Sequence, residues 1–349
     1  MKVQANKIRP ASKQCRNWIR GYVSASRFLP ALLLTLVLSV WNSNQGLCQP
    51  FPTRTITLVH AYQGGGLGLD LGQLVAARLE KELRWPAIVE TRPGGNSLIA
   101  AMSVIRSAPD GHTLLINSMS IMGMSRAIHA TPAYDPITDF VPVALLASVP
   151  MVLVTNAQLP IRSLQDLATL ARSRAGGLSF GTLGVGSSQH LILEFIKRTF
   201  GIEFTHVPYR GVSLGLNDVA GGHIALMIAD IATALPLIEA GKLRPIGVTT
   251  AKRAELLGVP PLSEIGLAGL DVGVRMALYA PAKTPIRTIG LLNSTIHEIG
   301  KDAVSRKRFA DQGIELIATP GPDELTTIHA SDVARWSKLV QDAGLAGSQ

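Results

Sequence analysis

The chain has 349 residues, with 33 basic against 24 acidic side chains, a formal net charge of +9 and a sequence pI near 9.8. Seven of the basic residues (Lys2, Lys7, Arg9, Lys13, Arg16, Arg20 and Arg27) fall in the first 27 positions, which hold no acidic residue, so beyond position 48 the balance is 26 to 24, a net +2. That near-neutrality removes the case for nucleic-acid binding. With Cys15 and Cys48 both inside the first 48 positions, the rest of the chain holds no disulfide framework, thiol nucleophile or thiolate metal site.

The basic N-terminus runs into an apolar stretch from Leu29 to Trp41, too short for an ordinary spanning helix and suited to a secretory signal. Gly46-Leu47-Cys48 offers small residues for cleavage before Gln49, predicting a signal peptide over 1–48 and a periplasmic location; lipid modification at Cys48 is the alternative. About 300 residues remain, enough for two lobes of ordinary domain size.

Strand-like and helical runs then alternate. Patterning predicts a strand over 55–59, a helix over 67–84 with Leu71, Leu74, Val75, Leu79 and Leu83 on one face, a strand over 87–90, a helix over 97–107 and a strand over 113–117. A strand over 149–155 reads as a crossing into a second lobe. There the expected order is strand 178–181, helix 189–200, strand 204–207, helix 213–220, strand 224–228, helix 232–240 and strand 244–249. A strand over 274–280 returns the chain, and helices over 286–299, 302–312 and 323–343 finish it. Such alternation implies α/β lobes with mostly parallel sheets flanked by helices. The expected division is lobe 1 over 49–153 and 275–349 and lobe 2 over 154–274.

Gly64-Gly65-Gly66 sits between the first strand and the first helix, where unpaired backbone N–H groups carry partial positive charge and hold anions. Position 69 is Leu69, so the spacing fails as a dinucleotide fingerprint, and no Lys-Ser/Thr pair makes a P-loop. A tight turn without a ligand is the plainer reading. A second loop, Gly181 to His190, repeats the arrangement with hydroxyls from Thr182, Ser187 and Ser188, though either serine could be an ordinary N-cap. Gly-x-Ser-x-Gly is absent, so this is no nucleophile elbow, and His190 reads as a packing or capping residue. The eight histidines form no His-x-His or His-x-x-x-His pair, which argues against a metal site. Arg210 could stand at a ligand mouth. Asp230, at a strand end, could pair with a ligand ammonium or cap the next helix.

Beyond the leader, the chain resembles the Bug (TctC-like) extracytoplasmic solute receptors of tripartite tricarboxylate transport systems over essentially all of its length. The resemblance is carried by Pro52-Thr-Arg-Thr-Ile-Thr-Leu-Val59, Gly64-Gly-Gly66, Glu90-Thr-Arg-Pro-Gly-Gly95, Ala108-Pro-Asp-Gly-His-Thr-Leu-Leu115, Tyr134-Asp-Pro-Ile-Thr-Asp-Phe-Val-Pro-Val143, Gly184-Val-Gly-Ser-Ser-Gln-His190 and His206-Val-Pro-Tyr-Arg-Gly211, with Ala240-Gly-Lys-Leu-Arg244 and Val248-Thr-Thr-Ala-Lys-Arg253 next in order. It implies a two-lobed periplasmic binding protein fold of the type II kind that closes over a small carboxylate. Carried over by position, the ligand contacts would be Tyr62, Gln63, Gly64, Gly65 and Gly66 in the first loop, Thr182, Gly186, Ser187, Ser188 and His190 in the second, and Asp230 facing them. The family usually has proline before the glycines and aspartate soon after. Here Gln63 and Leu67-Gly68-Leu69-Asp70 stand instead, which displaces Asp70. The expectation is a monomeric receptor that captures a carboxylate for membrane permease subunits, without cofactor or catalysis. A ligand-bound sensor docking on a kinase and a secreted α/β enzyme are the alternatives.

Overall fold

A computed structural model describes residues 51–61 and 66–348. The leader expected over 1–48 and the contacts expected of Tyr62, Gln63, Gly64 and Gly65 lie outside the described residues.

The first part of the chain alternates as its patterning predicts: β1 (Ile56–His60), α1 (Leu67–Leu83), β2 (Ala87–Thr91), α2 (Leu98–Ile105) and β3 (Thr113–Ser118). β1 pairs in parallel with β2 on one side and β3 on the other. Successive side chains of β1 point to opposite faces. Ile56 and Leu58 pack against Leu71, Val75 and Leu79 of α1, while Val59 packs against Ala100, Ala101 and Val104 of α2. Each buried isoleucine, leucine or valine among them contributes roughly 1.5–3 kcal/mol relative to exposure. α1 stops where Arg84 adopts a left-handed conformation, φ 59°.

Beyond α3 (Met119–Ile128) comes β4 (Phe140–Asn156), a strand of 17 residues and the backbone of the architecture. Its residues 140–150 pair antiparallel with β9 (Gly273–Pro281), which lies beside β3; residues 151–156 belong to a second sheet. That sheet follows α4 (Leu164–Arg172) and contains β5 (Leu178–Thr182), α5 (Ser188–Phe200), β6 (Phe204–Pro208), α6 (Val212–Gly221), β7 (Leu226–Asp230), α7 (Ile231–Glu239) and β8 (Leu243–Val248). β5 lies parallel to β6 and β7, and β4 lies antiparallel to β7 and β8. The sheets are thus mixed rather than mostly parallel as expected: four strand pairs are parallel and five are antiparallel, because the crossing strands β4 and β9 run against their neighbours, in a two-lobed α/β fold.

After β9 the chain returns to the first sheet through α8 (Ile286–His297), α9 (Ala303–Ala310) and β10 (Glu315–Leu316), which pairs with Ala147 and Ser148 of β4. The last helix, α10 (Pro322–Asp342), serves both lobes. Its Leu325 packs with Met119 and Tyr279, whereas Trp336 and Val340 pack with Leu191 and Ile196. His329 donates from Nε2 to the Pro136 carbonyl at 3.0 Å, and Asp332 pairs with Arg275 of β9. Among the described residues no helix is long and apolar enough to cross a membrane.

Candidate functional site

Parallel β-α units place the helix N-termini at the carboxyl ends of the strands, and these ends converge on one cavity of about 70 Å³. Gly66, Leu67 and Gly68 open α1, Ser118 and Ile121 open α3, Ser188 and Gln189 open α5, Val212 opens α6, and Asp230 and Thr233 open α7. Met151 of β4 and Val274 and Met276 of β9 supply an apolar wall, with His60 at the end of β1. Five helix N-termini therefore face one small space. Among the described residues lining it there is no lysine or arginine. An anion here would be met by backbone N–H groups at helix N-termini.

Local chemistry explains each approach. Gly66 has φ +91°, and a Cβ there would sit 3.2 Å from Thr233 Oγ1, so glycine lets the first-lobe loop close onto α7. No side chain caps α1 at Gly66, in contrast to α5 and α7. Gly68 has no Cβ either, and the His60 imidazole occupies that space: an ideal Cβ would lie 2.3 Å from its Nε2. Burial holds the His60 pKa at about 4, so the ring enters the cavity wall neutral at physiological pH.

The second loop divides into lining and supporting residues. Ser188 lines the cavity, its Oγ donating to Met151 Sδ at 3.8 Å. Ser187 caps α5, accepting from His190 N at 3.2 Å and donating to the Gly184 carbonyl at 2.7 Å. Thr182 is fully buried, pairs with His206 Nε2 and accepts from Gly184 N at 2.9 Å. His190 stacks on His206 with ring centroids 4.9 Å apart, and burial together with the nearby His206 holds its pKa down. Thr182, Ser187 and His190 stand behind the loop, outside the cavity lining. Gly186, φ +80°, lies where a Cβ would be 3.1 Å from Ile128 of α3, at the meeting of the lobes.

Asp230 both caps α7 and lines the cavity. Its Oδ1 accepts from Thr233 N at 2.9 Å and Thr233 Oγ1 at 2.7 Å. Burial pushes its carboxyl pKa up, against the opposing hydrogen bonds from Thr233, and the charge of Asp70 adds to the rise. Asp70 itself is half-buried and outside the cavity lining; burial raises its pKa and Arg308 opposes the rise.

Arg210 borders a wider outer cleft of about 660 Å³, together with Tyr209 and the segment from Pro93 to Ile99. There Asn96 Nδ2 donates to the Val185 carbonyl at 3.4 Å, joining the two lobes. Asn96 and Ser97 both have positive φ, 46° and 77°, a strained conformation held at the cleft rim. Sequence reasoning did not single out His60, Ser118, Gln189, Thr233 or Asn96. All but Asn96 lie at strand ends or first helical turns, the positions a parallel-sheet rule could have flagged.

A family model described as the tripartite tricarboxylate transporter family receptor matches residues 72–345. The chain belongs to this receptor family. Protein BugT of Bordetella pertussis is 29% identical over 89% of this receptor and 97% of its own length. A solved R. palustris protein with adipate is 35% identical, with TM-score 0.78, covering 85% of the receptor and 99% of that chain. MatC from Rhodopseudomonas palustris with bound malate is 30% identical, also with TM-score 0.78, covering 83% of the receptor and 100% of that chain.

Proposed function

We propose that this receptor captures a small organic carboxylate in the periplasm and delivers it, as a monomer, to membrane permease subunits, with no bond-making step. Export would use the cleaved segment 1–48, and the moving parts would be lobe 1 (49–153 and 275–349) and lobe 2 (154–274). The observation that carries the reading is the convergence of five helix N-termini on a cavity that has no cationic side chain among the described residues. Such a site neutralises one carboxylate with oriented N–H groups and hydroxyls, leaving apolar Met151, Val274 and Met276 to meet the ligand body. Relatives solved with adipate and malate support the carboxylate class.

Of the first- and second-loop residues expected to bind, Gly66 and Ser188 are assigned direct contact, with Asp230 on the facing side. Thr182, Gly186, Ser187 and His190 are assigned to holding the loop in shape. A hydrogen bond to a charged group is worth about 1.5–3 kcal/mol, so Ser188→Ala should weaken carboxylate binding roughly ten- to hundredfold. The ligand is first identified by mass spectrometry of the denatured protein, then titrated into wild type and variant by calorimetry. Equal affinities with equal melting temperatures would remove Ser188 from the site. Recovery of a cationic or wholly neutral ligand would overturn the carboxylate reading.

A further inference from the structure

A second depression, larger than the ligand cavity, occupies about 930 Å³ between α9, β10 and the loop after β8. Among the described residues five cations border it, Lys252, Arg253, Lys301, Arg306 and Lys307, against two carboxylates, Asp271 and Glu315. This concentration stands out on a chain whose charge beyond position 48 nearly balances. Lys252 and Arg306 make no ion pair among the described residues, and both are exposed. Lys301 and Lys307 pair only with acids on their own segments, Glu298 at 3.3 Å and Asp311 at 3.0 Å, and Arg253 pairs with Glu264. Exposed pairs of this kind exchange readily for another carboxylate. Asp271 spends an oxygen on the Ala251 N–H at 2.9 Å, so one of the two acids is already engaged.

The groove is a composite. Lys301, Arg306 and Lys307 come from the segments around α9, and Lys252 and Arg253 come from the loop after β8 in the other sheet's lobe. Ser148 and Pro150 of β4 lie between them, while the next residue, Met151, lines the ligand cavity, so one strand serves both sites. Gly313 in the groove wall also packs closely on Ile231, the neighbour of Asp230: a Cβ at Gly313 would lie 3.2 Å from Ile231 Cγ2. An occupant here would touch both lobes at the strand that joins them.

We propose that this groove docks an acidic peptide segment of the receptor's membrane partner, held by cations from both lobes at once. The volume suits a stretch of several residues rather than an inorganic anion. The proposal rests on the receptor reading only for the identity of the partner. The probe is a fluorescein-labelled decapeptide of alternating Glu and Gly, followed by anisotropy at low ionic strength. Lys252→Glu on one lobe and Arg306→Glu/Lys307→Glu on the other should each weaken binding by about threefold, and the triple variant by about tenfold or more. A control with the same charge change at exposed positions outside the groove, Arg162→Glu/Lys283→Glu/Arg287→Glu, should bind within about twofold of wild type. An equal loss in the control would show attraction to net charge alone and overturn the proposal. Loss confined to one lobe's variants would overturn the bridging geometry. Carboxylate binding to the triple variant should be unchanged, since none of its residues lines the cavity, so the docking result stands or falls apart from the receptor reading.

Discussion

Gly68 and His60 compete for one volume, and the cavity exists in its present form because glycine yields it. An ideal Cβ at position 68 would lie 2.3 Å from Nε2 of the His60 ring, which is only 2% exposed and borders the ligand cavity. Gly68→Ala must therefore push the imidazole into the ligand cavity or shift the first turn of α1. Overpacking of this sort costs about 1–3 kcal/mol, which should appear both as a lower melting temperature and as carboxylate affinity reduced about tenfold or more. Calorimetry beside a thermal melt separates the two. A variant that melts earlier but binds normally would show that His60 moves away from the ligand rather than toward it. The neighbouring serines make the opposite contrast, since one faces the cavity and the other faces its own helix.

Ser187 has an element's job. Its hydroxyl caps α5, so Ser187→Ala should cost about 1 kcal/mol of unfolding free energy, read by urea denaturation, with a smaller effect on affinity than Ser188→Ala. This division was invisible in Gly184-Val-Gly-Ser-Ser-Gln-His190, where either serine could cap. Strand-helix alternation around β1, α1 and β5 was legible because α1 carries an apolar face opposite a polar one and each of the two strands runs into a glycine-rich loop. By contrast, residues 140–147 of β4 are largely buried on both faces and read as an unbroken apolar run containing Pro142, so the 17-residue strand was expected only over 149–155. Helix α3 was missed for a related reason: seven of its ten residues are buried, which leaves little polar face to give a period. Ser163 and Asp166 did offer a cap signature for α4, and that signal went unread. The cavity obeys the same logic. Its glycine loops were legible, but Ser118 and Ile121 belong to the missed α3, and His60 enters only through its fit against Gly68.

At the scale of the whole molecule, acid is the condition under which these buried groups act together. Burial holds His60, His190, His206 and His329 below the ordinary histidine range, so the folded state disfavours their protonation. Below pH 6.5 the unfolded chain binds more protons than the folded one, and stability falls with falling pH until the folded pKa is passed. Asp230 and Asp332 act in the opposite sense: burial raises their pKa values, and protonation in the folded state relieves them as pH falls. A pH profile of the wild type alone mixes both signs, so the histidine contribution needs a paired variant. His60, with a folded pKa of about 4, offers the clearest case because it is almost fully buried. His60→Gln keeps a polar side chain without the titration. Between pH 7.5 and 4.5 the wild type should lose about 2–3 kcal/mol more unfolding free energy than this variant, the cost of keeping one buried imidazole neutral against an unfolded pKa near 6.5. Urea denaturation at the two pH values measures the difference directly. Parallel losses in the two proteins would mean that burial does not hold the folded imidazole neutral, and that the cavity wall gains a cation as the pH falls below about 6.5.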